Sequence, residues 1–292
     1  VENGSSRQIR EKARGDVLTR FENDTTVQDV FFEDCVNGMK KHVADGSIDL
    51  VVTSAPYWNI VDYGDEHQIG YTQSLENYII SMTHVFEQCL RVLRDSRRMV
   101  LNISDVLVHE KKSFRVVPIH AYLLLAALSI GFMHNATIYW YKFTNCSGRE
   151  GSRRMSILGS YPYPPNAHVM SKVEHIIVLR KPGDYKQTIK DTMAKQRSRL
   201  TLDEWLLYTE QIWKFNGEKD EHPAAYPIEL PSRCIKLWSL VGETVLDPFL
   251  GSGTTLVACQ RLGRNGIGFE ISKKYIDLIF SKLSRLSRKK MY

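Results

Sequence analysis

Near the C-terminus, Asp247-Pro-Phe249-Leu-Gly251-Ser-Gly253-Thr254-Thr255 combines residue types suited to a ligand loop. It lies between a strand-like run, Thr244-Val-Leu-Asp247, and a helix-like run that opens at Thr254. Glycines at such a junction let a ligand approach the backbone. The helix N-terminus offers unbonded N–H groups and the positive end of its dipole to a carboxylate. A second strand-like run ends in Gly268-Phe269-Glu270, nineteen residues beyond Gly251. From that offset a carboxylate can hold ribose hydroxyls. The glycines do not follow the GxGxxG order of dinucleotide-binding dehydrogenases, and the chain lacks the Gly-Lys-Ser/Thr of a kinase-type phosphate loop.

Far upstream, Thr53-Ser54-Ala55-Pro56-Tyr57-Trp58 follows the apolar run Ile48-Asp-Leu-Val-Val-Thr53. A segment leaving a buried strand sits at its carboxyl end, the ligand edge of an open α/β sheet. The extended run continues to Asp62-Tyr63-Gly64. With this segment first and the glycine loop second, the chain resembles the β group of amino-directed DNA methyltransferases, which methylate cytosine N4 or adenine N6. Weaker similarity runs through Met99–Asp105, Gly159–Asn166 and His222–Pro227, so the resemblance covers most of residues 30–280. One residue departs from the usual Ser/Asp-Pro-Pro-Tyr: Ala55 stands where a proline is expected.

The resemblance implies S-adenosylmethionine as cofactor. Asp247, Phe249, Gly251 and Gly253 would surround its methionine part, Thr254 or Thr255 would cap its carboxylate, and Glu270 would hold the ribose. Asp34 would accept from the adenine amino group; a turn or helix cap is the competing role for that residue. An exocyclic amine has its lone pair delocalised into the base, so acceptors on its protons are needed to draw the nitrogen toward tetrahedral geometry. Ser54 Oγ and the Ala55 carbonyl are the candidates, with Pro56 shaping the loop. Tyr57 would stack on a base swung out of the duplex, and Trp58 would add an apolar wall. Tyr63, Arg153, Arg154, Tyr161 and Tyr163 are further candidates for substrate contact. Alanine keeps the carbonyl but frees φ and adds an N–H, so the loop is expected to lose preorganisation and some activity, which Ala55→Pro would restore.

Ser rather than Asp at position 54 favours cytosine N4 over adenine N6. No Pro-Cys pair is available for C5-cytosine chemistry, and no metal ligand set is evident. An RNA or protein N-methyltransferase is disfavoured by the motif order. A DNA-binding pseudoenzyme weakened at Ala55 remains open. Duplex DNA is the expected partner, with a homodimer and a cognate restriction endonuclease as open additions.

These segments need a scaffold. Apolar periodicity predicts strands at Val30–Asp34, Ile48–Thr53, Arg98–Ser104, Ala136–Tyr141, His175–Arg180, Thr244–Asp247 and Asn265–Glu270. Helices are expected at Val36–Val43, Ser74–Leu93, Pro118–Ser129, Leu202–Gln211, Pro227–Leu237, Thr254–Leu262 and Lys273–Leu286. The alternation predicts an α/β, doubly wound, mostly parallel Rossmann-like sheet with a small recognition insertion. Residues 1–25 read as a flexible or peripheral lead, 26–286 as the methyltransferase domain, and 287–292 as a basic tail. Recognition is expected in loops at about 144–170 and 183–212. Both are short, which suits a brief target or a specificity element outside this chain.

The net charge of +6 is modest, but basic residues gather at Arg7–Arg14, Arg149–Arg154, Lys195–Arg199 and Arg285–Lys290. Polyanion binding gains only if such clusters converge on one groove. Five scattered cysteines without CxxC spacing read as reduced buried thiols. No apolar run approaches the roughly 20 residues that cross a bilayer, and the N-terminus lacks a signal-peptide core. The expected location is intracellular: cytoplasm or nucleoid in a bacterium, nucleus in a eukaryote.

Overall fold

Every residue of Ile48–Val52 is buried, as a strand covered by helices on both faces must be. It lies near the middle of a computed structural model that describes residues 10–14, 18–23, 25–109, 114–142, 164–165, 167, 169, 171–186, 191–217 and 226–285. In chain order the elements are β1 (Arg10–Arg14), β2 (Leu18–Glu22), β3 (Val27–Phe31), α1 (Cys35–His42), β4 (Ile48–Ser54), α2 (Leu75–Val92), β5 (Leu93–Ile103), β6 (Val106–His109), β7 (Phe114–Val117) and α3 (Ile119–Ser129). There follow β8 (Met133–Tyr141), β9 (Val173–Arg180), α4 (Thr192–Arg197), α5 (Leu202–Thr209), β10 (Ile212–Lys214), α6 (Glu229–Trp238), β11 (Thr244–Asp247), α7 (Thr254–Arg261), β12 (Asn265–Phe269), a 3-10 turn at Lys273–Tyr275 and α8 (Ile276–Arg285).

Among the described residues ten strands form one sheet, in the order β1-β2-β3-β12-β11-β4-β5-β9-β8-β10, and β6 pairs with β7 as a separate hairpin. β3, β12, β11, β4 and β5 are parallel neighbours. β9 runs antiparallel between β5 and β8. The fold is therefore α/β with a mostly parallel central sheet. One face packs against α1, α2 and α3, with Met39, Tyr78, Phe86 and Leu123 in its core. The other carries α6, α7 and α8, with Leu230, Cys234, Leu256 and Ile279 buried beneath them.

Local chemistry sets the helix starts. Ser74 caps α2 by accepting from the Asn77 N–H, and Thr201 with Glu204 forms a reciprocal capping box on α5. Three features differ from the sequence expectation. Residues 10–14 and 18–22, within the stretch expected as a flexible or peripheral lead, form paired edge strands, with β2 antiparallel to β3. β3 ends at Phe31, so Asp34 lies beyond the strand. The polar stretch after Pro182 supplies α4, and past the expected helix α5 comes the three-residue β10, which extends the far edge beside β8. Cys35, Cys89, Cys234 and Cys259 are buried free thiols, and Cys146 lies outside the described residues. No described helix is long and apolar enough to cross a membrane.

Candidate active site

Five parallel strands deliver their carboxyl ends to one edge, and the residues just past those ends meet there. A cleft of about 820 Å³, open to solvent, is lined by Asp34, Ser54, Ala55, Pro56, Tyr63, Tyr226, Phe249, Gly251, Thr254 and Glu270, among others. The glycine loop is fastened to the end of β12. Leu250 N–H donates to the Phe269 carbonyl (2.8 Å), and Gly251 N–H donates to Glu270 Oε2 (2.8 Å). Gly251 (φ +54°) and Gly253 (φ +84°) occupy the left-handed region that permits this turn.

Glu270 also accepts from the Ser272 N–H (2.8 Å). Burial pushes its carboxyl up to about 7 despite these two donors. A carboxylate so placed is an acceptor in want of further donors. Asp34 caps α1, accepting from the Asn37 N–H (2.9 Å), and also lines the cleft. Of the two roles set against each other from sequence, the helix cap is the one seen.

Asp247 and Thr255 are placed differently from the cofactor contacts suggested by resemblance. Asp247 is fully buried (0 % exposed) and does not line the cleft. It accepts from Thr53 Oγ1 (2.6 Å), the Phe249 N–H (3.0 Å), Tyr226 OH (3.2 Å) and Thr255 Oγ1. Thr255 is spent on this hub and on Tyr226 OH, which leaves Thr254 as the threonine facing the cleft. Gly253, the N-cap of α7, packs toward Ile279. Tyr226, which spacing did not single out, both closes the hub and lines the cleft.

The upstream segment is held just as firmly. Ala55 is 1 % exposed, and its N–H donates to the Asn102 carbonyl (3.1 Å), extending the β4–β5 ladder by one residue. The Pro56 carbonyl accepts from Tyr78 OH (2.9 Å). Ser54 Oγ lies 3.4 Å from both the Asn102 carbonyl and Asn102 Nδ2. Tyr57 is half-buried, and its N–H donates to Tyr63 OH (3.3 Å). Burial, then the nearby Glu174 carboxylate, pushes the Tyr57 phenol well above its ordinary range. Trp58 is not a wall of the cleft. It is 7 % exposed in the main core, with its indole N–H donating to the Gln73 carbonyl (3.0 Å), so it anchors the loop from beneath.

Arg153, Arg154, Tyr161 and Tyr163 lie outside the described residues, as do the whole Arg149–Arg154 cluster and residues 286–290, whereas Arg10–Arg14 of the first cluster form β1. Lys195, Arg197 and Arg199 are exposed. One group unforeseen from sequence joins Asp105, His120 and His175, whose ligand-type atoms lie within 4.8 Å of one another. Asp105 accepts from the His120 N–H (3.3 Å) and contacts its Nδ1 (2.6 Å), tying down the first turn of α3. The two imidazoles stack 3.7 Å apart with planes 7° from parallel. Their in-plane lone pairs therefore run side by side and do not converge on one ion.

A family model described as DNA methylase, of the N6/N4 type, matches residues 48–281. The type II methyltransferase M.MjaI of Methanocaldococcus jannaschii is 33 % identical over 270 residues, covering 82 % of this chain and 86 % of its own length. The type II methyltransferase M.MthZI of Methanothermobacter thermautotrophicus is 29 % identical over 283 residues, covering 89 % and 77 %. Among solved structures, a Thermus thermophilus protein assigned as a DNA modification methylase, complexed with S-adenosylmethionine, superposes with a TM-score of 0.71 at 29 % identity. That match covers 90 % of this chain and 96 % of the other. The PvuII cytosine-N4-specific DNA methyltransferase shares the fold, with a TM-score of 0.63 at 15 % identity over 89 % and 93 % of the two chains.

Proposed function

Because the chain belongs to the N6/N4 DNA methylase family, we propose that it transfers a methyl group from S-adenosylmethionine to the exocyclic N4 of a cytosine flipped out of duplex DNA. The observation that carries the reading is the position of Ser54. It ends β4 beside the glycine loop, and its neighbour Thr53 is hydrogen-bonded to Asp247 at the head of that loop. A serine there, in place of the aspartate common in adenine enzymes, supports cytosine. The type II naming of the relatives supports a cognate restriction endonuclease that reads the same target.

The cleft fits the cofactor by its donor and acceptor set. Glu270 would accept from ribose hydroxyls, Asp34 from an amino group, and the N–H groups at the start of α7 with Thr254 would meet a carboxylate. When bound, S-adenosylmethionine supplies a methyl carbon made electrophilic by its sulfonium. Ser54 Oγ and the Ala55 carbonyl would accept from the two amino protons of the target, turning its lone pair toward that carbon. Tyr57 would hold the base by stacking. The decisive experiment incubates the protein with tritiated S-adenosylmethionine and unmethylated duplex DNA, then resolves the nucleosides by mass spectrometry. N4-methylcytosine is the expected product. N6-methyladenine would reassign the base, and label confined to RNA or protein would sink the reading.

Two further expectations follow from the geometry. Glu270 has a folded-state value raised to about 7, so the stability it contributes is present below the ordinary carboxylate range and is lost as pH rises through 7. Ribose hydroxyls favour the ionised form. Cofactor affinity should therefore rise between about pH 6 and pH 8, with proton release on binding. Calorimetric titration in buffers of different ionisation enthalpy checks this, and a pH-independent affinity without proton release contradicts it. The second concerns Ala55. Its added N–H is not idle but bonded to Asn102, so Ala55→Pro removes a buried hydrogen bond worth about 1 kcal/mol. The variant is expected to melt lower and to turn over no faster than the parent, reversing the expectation from sequence. A gain in kcat would restore that earlier view.

A further inference from the structure

We propose that Glu174 is the positioning residue of the target-base side of the site, holding Tyr57 and, through Asn102, Ser54 in their working orientation. The inference rests on the reading of Ser54 and Tyr57 given above. Glu174 lies at the start of β9, which runs against β5 and so begins at the edge where β4 and β5 end. It is 6 % exposed. Its Oε2 accepts from Asn102 Nδ2 (2.7 Å) and from Tyr57 OH (3.1 Å), and its Oε1 pairs with Lys142 Nζ. The Lys142 ammonium also lies 4.4 Å from the centroid of the Trp140 ring. One carboxylate thus gathers donors from the loop after β4, from β5 and from the residue just past β8.

Packing alone does not call for a charge here. Ile176 and Val178 occupy the same face of β9 at two-residue spacing and are buried hydrophobics. A buried carboxylate is costly to desolvate and persists only where its partners are arranged to meet it. The consequence for Asn102 is orientation. A carboxylate accepts only from the amide NH2, so Nδ2 is fixed on Glu174 and within 3.4 Å of Ser54 Oγ. Asn102 Oδ1 is left buried without a hydrogen-bond partner among the described residues. The consequence for Tyr57 is a ring tethered at its hydroxyl, so that its plane is set before a base arrives. None of Glu174, Asn102, Lys142 and Tyr57 lines the cofactor cleft, and the network reaches it through Ser54.

The test is a double-mutant cycle with Tyr57→Phe and Glu174→Gln, measuring kcat and KM for mixed-sequence unmethylated duplex DNA together with the dissociation constant for S-adenosylmethionine. Each single variant is expected to lose roughly 10-fold or more in kcat while cofactor affinity stays within about 2-fold. The double variant should be no worse than the poorer single, because both remove one coupled unit. Tyr57→Phe deletes only a hydroxyl and serves alone if Glu174→Gln fails to fold. Wild-type kcat in Tyr57→Phe, or losses that multiply in the double variant, would overturn the assignment. No transfer to DNA by the parent protein would overturn the functional reading and this inference with it.

Discussion

Asp247→Ala is expected to melt roughly 10 °C or more below the parent protein and to lose its hold on S-adenosylmethionine. The side chain is wholly buried and accepts from Thr53, Phe249, Tyr226 and Thr255. Burial raises its carboxyl from the ordinary value, and those donors act in the opposite direction. Deleting the acceptor leaves a backbone N–H and three hydroxyls without their partner in an enclosed space. Each buried donor left unsatisfied costs about 1–3 kcal/mol, and several are left here. The damage is directional as well as large, because the donors belong to β4, the glycine loop, α7 and the segment before α6. Their release unfastens Phe249 and Thr254 from the cleft together. Thr53→Val, which removes one donor and spares the carboxylate, should cost only about 1 kcal/mol. Thermal melts and cofactor titration of the pair decide the matter. An Asp247→Ala protein melting within about 2 °C of the parent would show that the hub is not holding the two loops together.

Ser54→Ala should do the opposite, leaving melting temperature and cofactor affinity in place while methyl transfer falls roughly 10²-fold. Ser54 Oγ makes long contacts with Asn102, at 3.4 Å, and bonds the Tyr57 side chain at the mouth of the site, so the fold gives up little with it. Its proposed task is to accept from an amino proton whose acidity rises as the nitrogen is methylated. Preorganised hydrogen-bond partners at a site of developing charge are worth roughly 10²–10³ in rate. Single-turnover transfer to DNA at saturating cofactor reads that step directly. A Ser54→Ala enzyme with unchanged single-turnover rate would move the role to the Ala55 carbonyl alone.

Much of this arrangement was legible before folding was considered, and the exceptions share a cause. The strand–loop–helix–strand from Thr244 to Phe269 was readable almost to the residue, because periodicity, glycines and a charged strand end all change within a few positions there. The α2 helix was equally clear from its apolar stripe and Ser74 cap. By contrast β1 and β2, Arg-Glu-Lys-Ala-Arg and Leu-Thr-Arg-Phe-Glu, carry too few apolar residues to announce an edge hairpin. The reversed direction of β9 has no local signature, since it depends on which strand lies beside it. The site follows the same rule. Ser54, Glu270 and the glycines could be placed at strand ends from sequence. How deep Asp247, Thr255 and Trp58 would sit could not, because depth is a property of the packed layers. Glu174, Lys142 and Asn102 enter the site only through the pairing of β9 with β5 and β8.

The bond between Thr53 and Asp247 spans 194 positions of chain. Synthesis proceeds at about 5–20 residues per second, so the segment bearing Ser54 emerges roughly 10–40 s before the strand that must lie against it. During that interval β4 presents an open, apolar edge, a state in which chains aggregate and chaperones bind. The growing polypeptide lacks its glycine loop until then, for the same reason. The cleft is complete only when synthesis has passed Ile279, which packs against Gly253, and the central pair of strands closes.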